Sequence, residues 1–477
     1  MSALSFDHMQ RVSAWGLASA ALCHVHRPTD EAGVRRVIDL ARRHGLSVGF
    51  RGAGQSYGDA ALNGEALLLD LSGMQRILDW QPESGVITTE PGVTIEALWR
   101  TTILSGWWPP VVPGTMQPTI GGCAAMNIHG KNHWRSGSFG DHVVAFKALL
   151  PEGEVVRCSR TERPELFHGM LGSFGMLGCF LSLTLQLKRV QSCTVRVHAF
   201  TAATMDDMLE VVEAQKEQDY VVGWVDCVSS GAALGRGVVH TARYLLRDGD
   251  GAQPVVGDPG AYELPSTLFG VLPRDWVWRL LRPLNHRAGW QLINGVRYYA
   301  GLWRDGHSFT QSLPQFNFLL DYVPHWRRAF LPGGLIQYQC FVPSENSVDA
   351  FETVLWRCRE HGLSAHLGVL KRHRADEFLI SCNLEGFSLA LDFRVRAHNR
   401  ARLAALAAEL DEIVLRFGGR FYFAKDSTLR PEAARAFLGQ ETLDRLIELK
   451  RCCDPKGLLQ SNLSRRLLPE LSMPVIG

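Results

Sequence analysis

The sequence predicts an α+β protein with more than one domain, for three reasons. The chain has 477 residues, more than a single hydrophobic core usually serves. Short apolar runs alternate with helical patterns up to about residue 190, and glycine and proline gather between them. Beyond that point the helical and strand patterns become longer. We therefore expect one domain over residues 1–190 and a second domain to begin at residue 191.

The elements of the first domain follow from apolar spacing and from turn residues. Residues 29–44 predict a helix, because Val34, Val37 and Ile38 share one face and acidic residues stand at its start. Strands are predicted for "SVGF", "ALLLDLSGM" and "GVITTEPGV", and a helix for "TIEALWRTTILSG". The run "VVAFKALLPEGEVVRC" predicts a hairpin that turns at residues 151–153, and the alternation in "LGCFLSLTLQL" predicts a further strand.

In the second domain, "TMDDMLEVVEAQKEQ" and "SVDAFETVLWRCREHG" carry helical periodicity, and "SAHLGVLK" reads as a strand. The clearest helix is "HNRARLAALAAELDEIVLRFGG", which a pair of glycines closes. The run "LIQYQCFVP" alternates like a strand. Helices and strands are thus mixed throughout the chain.

Composition excludes several classes of protein. Fifty Lys and Arg nearly balance 48 Asp and Glu, so no global charge favours nucleic acid. Eleven cysteines show no zinc-site spacing, which favours free thiols, no metal and a cytoplasmic location. No run approaches the ~18 to 20 apolar residues of a transmembrane segment, and "SAWGLASAALC" lacks the basic flank of a secretory signal. Peripheral contact with the inner face of a membrane stays open.

Two glycine-rich segments stand out, "RGAGQSYGDAALNG" and "PGTMQPTIGGCAAMNIHGKNHWRSGSFG". Glycine lets the backbone approach a phosphate or a flat ring closely, and consecutive N–H groups can bind an anion. Ordinary turns are the alternative. Neither segment has the G-x-G-x-x-G of a Rossmann turn or the lysine of a P-loop, so a dinucleotide would be bound in another way.

The segments "RGAGQSYGD", "PGTMQPTIGG" and "NIHGKNHWRSGSFGDH" resemble the flavin-binding signature of the vanillyl-alcohol oxidase superfamily. The resemblance implies a two-part PCMH-type FAD-binding domain, residues 1–190 plus a C-terminal segment 420–477, with an α+β substrate domain 191–419 inserted. The runs "LIQYQCFVP", "GGRFYFAKDS" and "CDPKGLLQSNLSRRL" resemble the branch of that superfamily that oxidises lipid-linked pentose.

The resemblance also implies which residues hold the cofactor. They are Phe50, Arg51, Gly52, Ala53, Gly54, Gln55, Ser56, Tyr57, Gly58, Asp59 and Ala60 from the first loop; Gly114, Thr119, Ile120, Gly121, Gly122, His129, Gly130, Lys131 and Asn132 from the second; and Cys179 and Tyr422. Relatives that tether FAD covalently carry a histidine where Gln55 stands, and some carry a cysteine where Gln117 stands. We therefore expect FAD to be bound non-covalently.

For catalysis the resemblance points to Lys425 and His129, which would handle the hydroxyl proton as hydride leaves. The residues that would contact the substrate are Gln337, Gln339, Lys371 and Lys425. For the two glutamines, an alternating strand whose polar side faces solvent is an equally good explanation. Three positions depart from the pattern: Ala390 replaces a cysteine, Ser388 an asparagine and Asn317 a tyrosine. These departures leave the choice of substrate open.

The segment from Val271 to Arg304 contains six arginines and one acidic residue, and the arginines alternate with four tryptophans. Such a segment suits a lipid headgroup layer, and equally suits arginine stems packed on indole rings.

The resulting hypothesis is FAD-dependent oxidation of a secondary hydroxyl on a polyprenyl-phosphate pentose. A separate NAD(P)H-dependent reductase would complete an epimerisation in cell-wall polysaccharide biosynthesis. A soluble aldonolactone or alditol oxidase that uses oxygen, and a non-catalytic flavin-binding subunit, are the alternatives.

Overall fold

The computed structural model describes residues 6–246, 262–268 and 271–472. Strands in the first part of the chain are β1 (Met9–Ser13), β2 (Ala20–His26), β3 (Val48–Arg51), β4 (Leu67–Asp70), β5 (Ile77–Gln81), β6 (Val86–Thr89), β7 (Trp107–Trp108), β8 (Val143–Leu149), β9 (Val155–Ser159), β10 (Cys179–Gln186) and β11 (Lys188–Arg189). Later strands are β12 (Thr194–Ala202), β13 (Tyr220–Val225), β14 (Gly237–Tyr244), β15 (Thr267–Leu268), β16 (Leu272–Pro273), β17 (Ser308–Ser312), β18 (Leu335–Pro343), β19 (Leu367–His373), β20 (Gly386–Arg394) and β21 (Arg420–Phe421).

The helices lie between these strands. They are α1 (Glu31–His44), α2 (Ile95–Thr102), α3 (Ile120–Ala125), α4 (His133–Ser136), α5 (Pro164–Met170), α6 (Met205–Ala214), α7 (Arg274–Leu284), α8 (Arg287–Arg304), α9 (Leu313–Asn317), α10 (Ser347–Glu360), α11 (Arg400–Arg416), α12 (Pro431–Leu438), α13 (Gln440–Cys453) and α14 (Asn462–Leu467). The mixture confirms the predicted α+β class. Within the described ranges, no helix is both long and apolar enough to cross a bilayer.

Three sheets carry the architecture. A four-stranded sheet has the order β1-β2-β4-β3, with β4 parallel to both β2 and β3. A five-stranded antiparallel sheet has the order β5-β6-β10-β8-β9. The largest sheet has eight strands in the order β17-β12-β14-β13-β19-β20-β18-β21. The first two sheets are built from residues before 190, and the large sheet from residues after 193.

Local signals place the elements where the sequence predicts them. Helix α1 begins because the Asp30 carboxylate accepts a hydrogen bond from the Gly33 amide at 2.7 Å, and it ends at Gly45 in the left-handed region with φ of 65°. Its buried face carries Val34, Val37 and Ile38. The predicted hairpin is β8 with β9, paired in antiparallel register.

The C-terminal segment returns to the first sheet. The Val48 amide donates to Leu458 O at 2.8 Å, and the Gln460 amide donates to Val48 O at 2.9 Å. The buried Lys450 ammonium donates to Asp454 and to two backbone carbonyls nearby. Strand β21, however, pairs with β18 of the large sheet, so no clean boundary falls at residue 420. The division at residues 190 and 420 stays a prediction, and its ends at 1–5 and 473–477 lie outside the described residues.

Candidate active site

A cavity of about 440 Å³ opens where the two glycine-rich loops meet one face of the large sheet. Its volume lies within the range of small-molecule sites. Most of the predicted site residues line it: Phe50, Arg51, Gly52, Ala53, Gly54, Gln55, Ser56, Tyr57, Ala60, Gly114, Thr119, Gly121, Gly122, His129, Lys131, Cys179, Gln337, Gln339, Lys371, Tyr422 and Lys425. The fold therefore brings together loops that are separated by up to about 370 residues in sequence.

The first glycine-rich loop leaves β3 as a turn whose central backbone amides have no backbone partners in the described part of the chain. Among the described loops and turns, no backbone hydrogen bond is donated by residues 53–56. Gly54 has φ of 65°, and a Cβ there would overlap the Arg51 guanidinium. A Cβ on Gly52 would overlap the Thr119 hydroxyl. Consecutive uncommitted N–H groups on a bare backbone fit the pyrophosphate of FAD.

The second loop differs from the first, because its backbone amides already donate hydrogen bonds within the protein. Thr119 caps helix α3 by accepting from the Gly122 amide at 3.3 Å. The Ile120 amide donates to Val93 O at 2.8 Å, and the Gly121 amide donates to Pro91 O at 2.9 Å. These donors are already satisfied, so the loop offers a flat wall against which a ring can lie.

Five predicted cofactor residues do not line the cavity. Asp59 pairs with Arg466 at 2.8 Å, Asn132 donates to Pro110 O at 2.7 Å, and Ile120 is fully buried in the core. Gly58 and Gly130 give room for close neighbours, since a Cβ would overlap Asp426 O at the first and Asn132 Oδ1 at the second. These residues lie outside the cavity lining and stabilise the loops that form it.

One face of the large sheet forms the opposite wall. Alternate residues of a strand share a face, and the antiparallel register pairs Gln339 with Ala390, Ala390 with Val369, and Val369 with Trp224. These four side chains form a row across β18, β20, β19 and β13. Lys371 lies two residues beyond Val369 on the same face. Strands that are distant in sequence therefore present a continuous wall.

Lys425 lies at the edge of this wall, in the loop after β21. Its Nζ lies 4.0 Å from the centroid of the Tyr57 ring. Burial lowers the pKa of Lys425 to about 8, while the nearby Asp392 carboxylate opposes that fall. Burial also raises the pKa of Asp392 to about 7. A hydrogen bond of 2.6 Å from Gln337 Nε2 and the charge of Lys425 both act to lower this pKa. Burial therefore favours the neutral forms of both groups, and the attraction between them favours the charged forms.

His129 is held by two polar neighbours. Its Nε2 lies 3.1 Å from Gln339 Nε2, and its Nδ1 lies 3.4 Å from Lys371 Nζ. Burial first, and then the charges of Lys371, His133 and Lys425, hold the pKa of His129 well below its usual value. Burial and Lys425 likewise lower the pKa of Lys371 to about 7. His129 is therefore a neutral hydrogen-bonding group, and Lys425 is the better proton acceptor.

The cavity wall is rich in basic side chains. It carries Arg51, Lys131, Arg297, Lys371 and Lys425, and none of its described residues is Asp or Glu. Burial first, and then the charges of Lys371 and Arg297, hold the pKa of Lys131 well below its usual value. An anionic ligand would relieve this mutual repulsion. Across the described residues, no group of three or more His, Cys, Asp or Glu side chains is arranged to hold a metal ion.

Sequence reasoning missed several wall residues, among them Trp15, Trp224, His240 and Leu367. Arg297 is one of the six arginines between Val271 and Arg304, for which the sequence predicts only a lipid contact or packing against indole rings. Asp392 lies on the same face of β20 as Ala390, next to the wall residue Gln337 but outside the cavity lining. An acid in the apolar strand "FSLALDF" is a local signal that could have identified it.

The departures from the family pattern lie in different places. Ala390 and Ser388 line the cavity, and Ser388 Oγ lies 2.8 Å from His373 Nε2. Asn317 lies outside the wall and donates to Leu313 O at 3.1 Å. Gln55 faces the cavity, whereas Gln117 donates to Glu96 at 3.3 Å on the exterior. Ala390, Ser388 and Gln55 therefore lie on the wall of the pocket, whereas Asn317 and Gln117 do not.

Comparisons with known proteins point to a flavin cofactor. Residues 23–159 match the family model described as FAD binding domain. The chain is 30% identical to the decaprenylphosphoryl-beta-D-ribose oxidase of Mycolicibacterium smegmatis, over 96% of this chain and 97% of that protein. It is 31% identical to a Streptomyces coelicolor protein described as an uncharacterized protein in mprA 5'region, over 79% of this chain and 100% of that protein. It is 25% identical to the L-gulonolactone oxidase of Mus musculus over 39% of this chain and 41% of that protein.

Proposed function

Because this chain belongs to the family of FAD-linked oxidoreductases that contains decaprenylphosphoryl-beta-D-ribose oxidase, we propose that it oxidises a secondary hydroxyl of a lipid-phosphate-linked sugar to a ketone. The proposed substrate is a polyprenyl-phosphate pentose, oxidised at its 2'-hydroxyl. The predictions of FAD as cofactor and of an oxidoreductase are confirmed by the family comparisons.

The first loop would hold the pyrophosphate of FAD on the amides of residues 53–56, and Gly121, Gly122 and Cys179 would lie against the rest of the cofactor. Bound FAD supplies the hydride acceptor. Burial raises the pKa of the Cys179 thiol to about 12, so this thiol is a weak nucleophile. The absence of a histidine at position 55 also supports non-covalent binding.

The observation that carries the choice of substrate is the charge of the wall. Arg51 belongs to the FAD loop, and Lys425 acts as the base in the proposed mechanism. This leaves Lys131, Arg297 and Lys371 without any acid on the described wall. These basic groups suit a substrate phosphate, whose negative charge favours their protonated forms. Trp224, Leu319, Leu320 and Leu367 supply apolar surface in the same cavity, which suits the first units of a polyprenyl chain.

In the proposed mechanism, neutral Lys425 accepts the proton of the substrate hydroxyl, while the carbon that bears this hydroxyl gives up its hydrogen as hydride. The new ammonium is stabilised by the Asp392 carboxylate, which Gln337 orients through its hydrogen bond of 2.6 Å. Gln339 would bind a sugar oxygen, and neutral His129, whose two ring nitrogens contact Gln339 and Lys371, would orient both of these side chains. The Tyr57 ring, 4.0 Å from Lys425 Nζ, would shield the ammonium from water.

Two further parts of the proposal concern partners and place. A separate NAD(P)H-dependent reductase would return the ketone to the opposite configuration and complete an epimerisation. The protein would act in the cytoplasm, at the inner face of a membrane, where polyprenyl phosphates lie.

The test is an anaerobic flavin-bleaching screen over polyprenyl-phosphate pentoses, free pentoses, alditols and aldonolactones. We expect bleaching with the lipid-linked pentose and little with free sugars. Bleaching by free sugars or lactones, with stoichiometric peroxide in air, would establish the soluble oxidase instead. A bound flavin that no sugar bleaches would indicate a non-catalytic subunit.

A further inference from the structure

Helices α7 and α8 each expose a stripe of large apolar side chains. On α8 the exposed residues are Leu292, Val296, Tyr299 and Trp303, at 62%, 63%, 65% and 87%. Their spacing of four, three and four residues puts them on one stripe. On α7, Trp276 and Leu280 are 58% and 53% exposed at a spacing of four, and Leu284 continues that stripe. Soluble surface helices normally turn such a stripe toward the core.

The opposite side of α8 is fixed to the protein by small and polar residues. The Asn294 side chain donates to Asp226 at 3.0 Å and is buried. A Cβ added to Gly301 would crowd Val238 at 2.6 Å, so the helix lies directly on the large sheet. Trp290 Nε1 donates to Asn285 at 3.0 Å, and Asn285 donates to Ala329 O at 2.9 Å. The exposed stripe is therefore a consequence of how the helices are anchored.

Basic side chains accompany the exposed stripe. Arg279, Arg282, Arg287 and Arg304 are exposed on or beside these helices, with Asp275 and Asp305 as the acids of the same segment. The Arg279 guanidinium lies 4.9 Å from the ring centroids of both Trp276 and Trp278. An apolar stripe with arginine and tryptophan beside it is typical of helices that lie in the headgroup layer of a membrane. The excess of positive charge selects anionic headgroups.

The same helix reaches the active-site cavity. Arg297 belongs to α8, lines the cavity and places its guanidinium 4.6 Å from the centroid of the Trp224 ring. A surface bound through the stripe therefore lies against the same helix that contributes Arg297 to the cavity wall. A lipid-linked substrate could enter without leaving the bilayer.

We propose that the outer face of α7 and α8 binds the surface of a bilayer that contains anionic phospholipid. This docking surface consists of Trp276, Leu280, Leu284, Leu292, Val296, Tyr299 and Trp303 with Arg279, Arg282, Arg287 and Arg304. Its use for substrate delivery rests on the proposed function, but its binding to lipid does not.

The test is sedimentation of the FAD-loaded full chain with vesicles that contain no substrate. We expect binding to phosphatidylcholine vesicles with phosphatidylglycerol, weaker binding to phosphatidylcholine alone, and release at high salt. Replacing Leu292, Val296, Tyr299 and Trp303 with Gln should lower the partition coefficient on the order of 100-fold. The matched control is Trp356→Gln on α10, because Trp356 is 51% exposed and lies beside Arg357 but outside the docking surface.

A second variant keeps the test decisive if the replacement of all four residues disturbs folding. Arg279→Gln with Arg282→Gln leaves the apolar stripe intact and should weaken binding to phosphatidylglycerol vesicles on the order of tenfold or more. Equal sedimentation of all variants, or no binding to any vesicle, would overturn the proposal. A dimer in light scattering that the fourfold variant converts to monomer would show that a second copy covers this face. Lipid binding together with bleaching only by free sugars would leave the docking surface standing and refute the proposed substrate.

Discussion

The role of Lys425 can be tested through the pH dependence of flavin reduction. If neutral Lys425 accepts the hydroxyl proton, the second-order rate constant for anaerobic bleaching follows its neutral fraction. With a pKa of about 8, that fraction is roughly 1% at pH 6 and half at pH 8. We therefore expect a rise of roughly 50-fold between these values. A phosphodiester substrate has no proton to lose in this range, so the rise belongs to the protein.

Two substitutions separate a base from a simple anchor for phosphate. Lys425→Met should lower the rate constant by roughly 10²- to 10⁴-fold and remove the rising limb. Lys425→Arg keeps a positive charge but cannot lose it at these pH values, so its rate should be low and independent of pH. Asp392→Asn removes the carboxylate that raises the pKa of Lys425, and the limb should move to lower pH.

Stopped-flow absorbance of the flavin band, at substrate concentrations far below saturation, measures this rate constant. Lys371→Met is the control, because the pKa of Lys371 is about 7 and it also titrates in this window. The limb should survive in that variant. A flat profile in the unmodified protein, or full activity in Lys425→Arg, would refute the assignment of Lys425 as the base.

Three further outcomes are expected. Acid denaturation should release free FAD, because Gln55 offers no ring nitrogen for a covalent bond; flavin that stays with the precipitated protein would contradict this. Gly52→Ala should lose FAD on gel filtration, since its Cβ would overlap the Thr119 hydroxyl, whereas Gly295→Ala, with nothing within 4 Å, should keep it. Burial raises the pKa of Asp411 to about 8, so the folded state holds a proton that the unfolded state loses above pH 4. Asp411 should therefore contribute a fall in stability of about 1.4 kcal/mol per pH unit between pH 6 and pH 7. Chemical denaturation should show this contribution as the difference in slope between the unmodified protein and Asp411→Asn, in which the other titrating groups are unchanged.

Local patterns in the sequence determined much of this protein. Helix α1, the hairpin of β8 and β9, and helix α11 follow from apolar periodicity and from capping or turn residues, which act over a few neighbouring positions. The first glycine loop was also readable, because bare backbone after a strand is a local feature. Lys425 and His129 were found through resemblance to a family, since a single lysine or histidine carries no local signal of its role.

The tertiary structure decided which strands become neighbours, and with them the wall of the pocket. Gln339, Ala390, Val369 and Trp224 meet only because the large sheet has the order β13-β19-β20-β18, which no local pattern states. Burial and neighbouring charge also exist only in the folded chain. They keep His129 neutral and bring Lys425 into the range where it can accept a proton, so the division of roles between the two residues follows from packing.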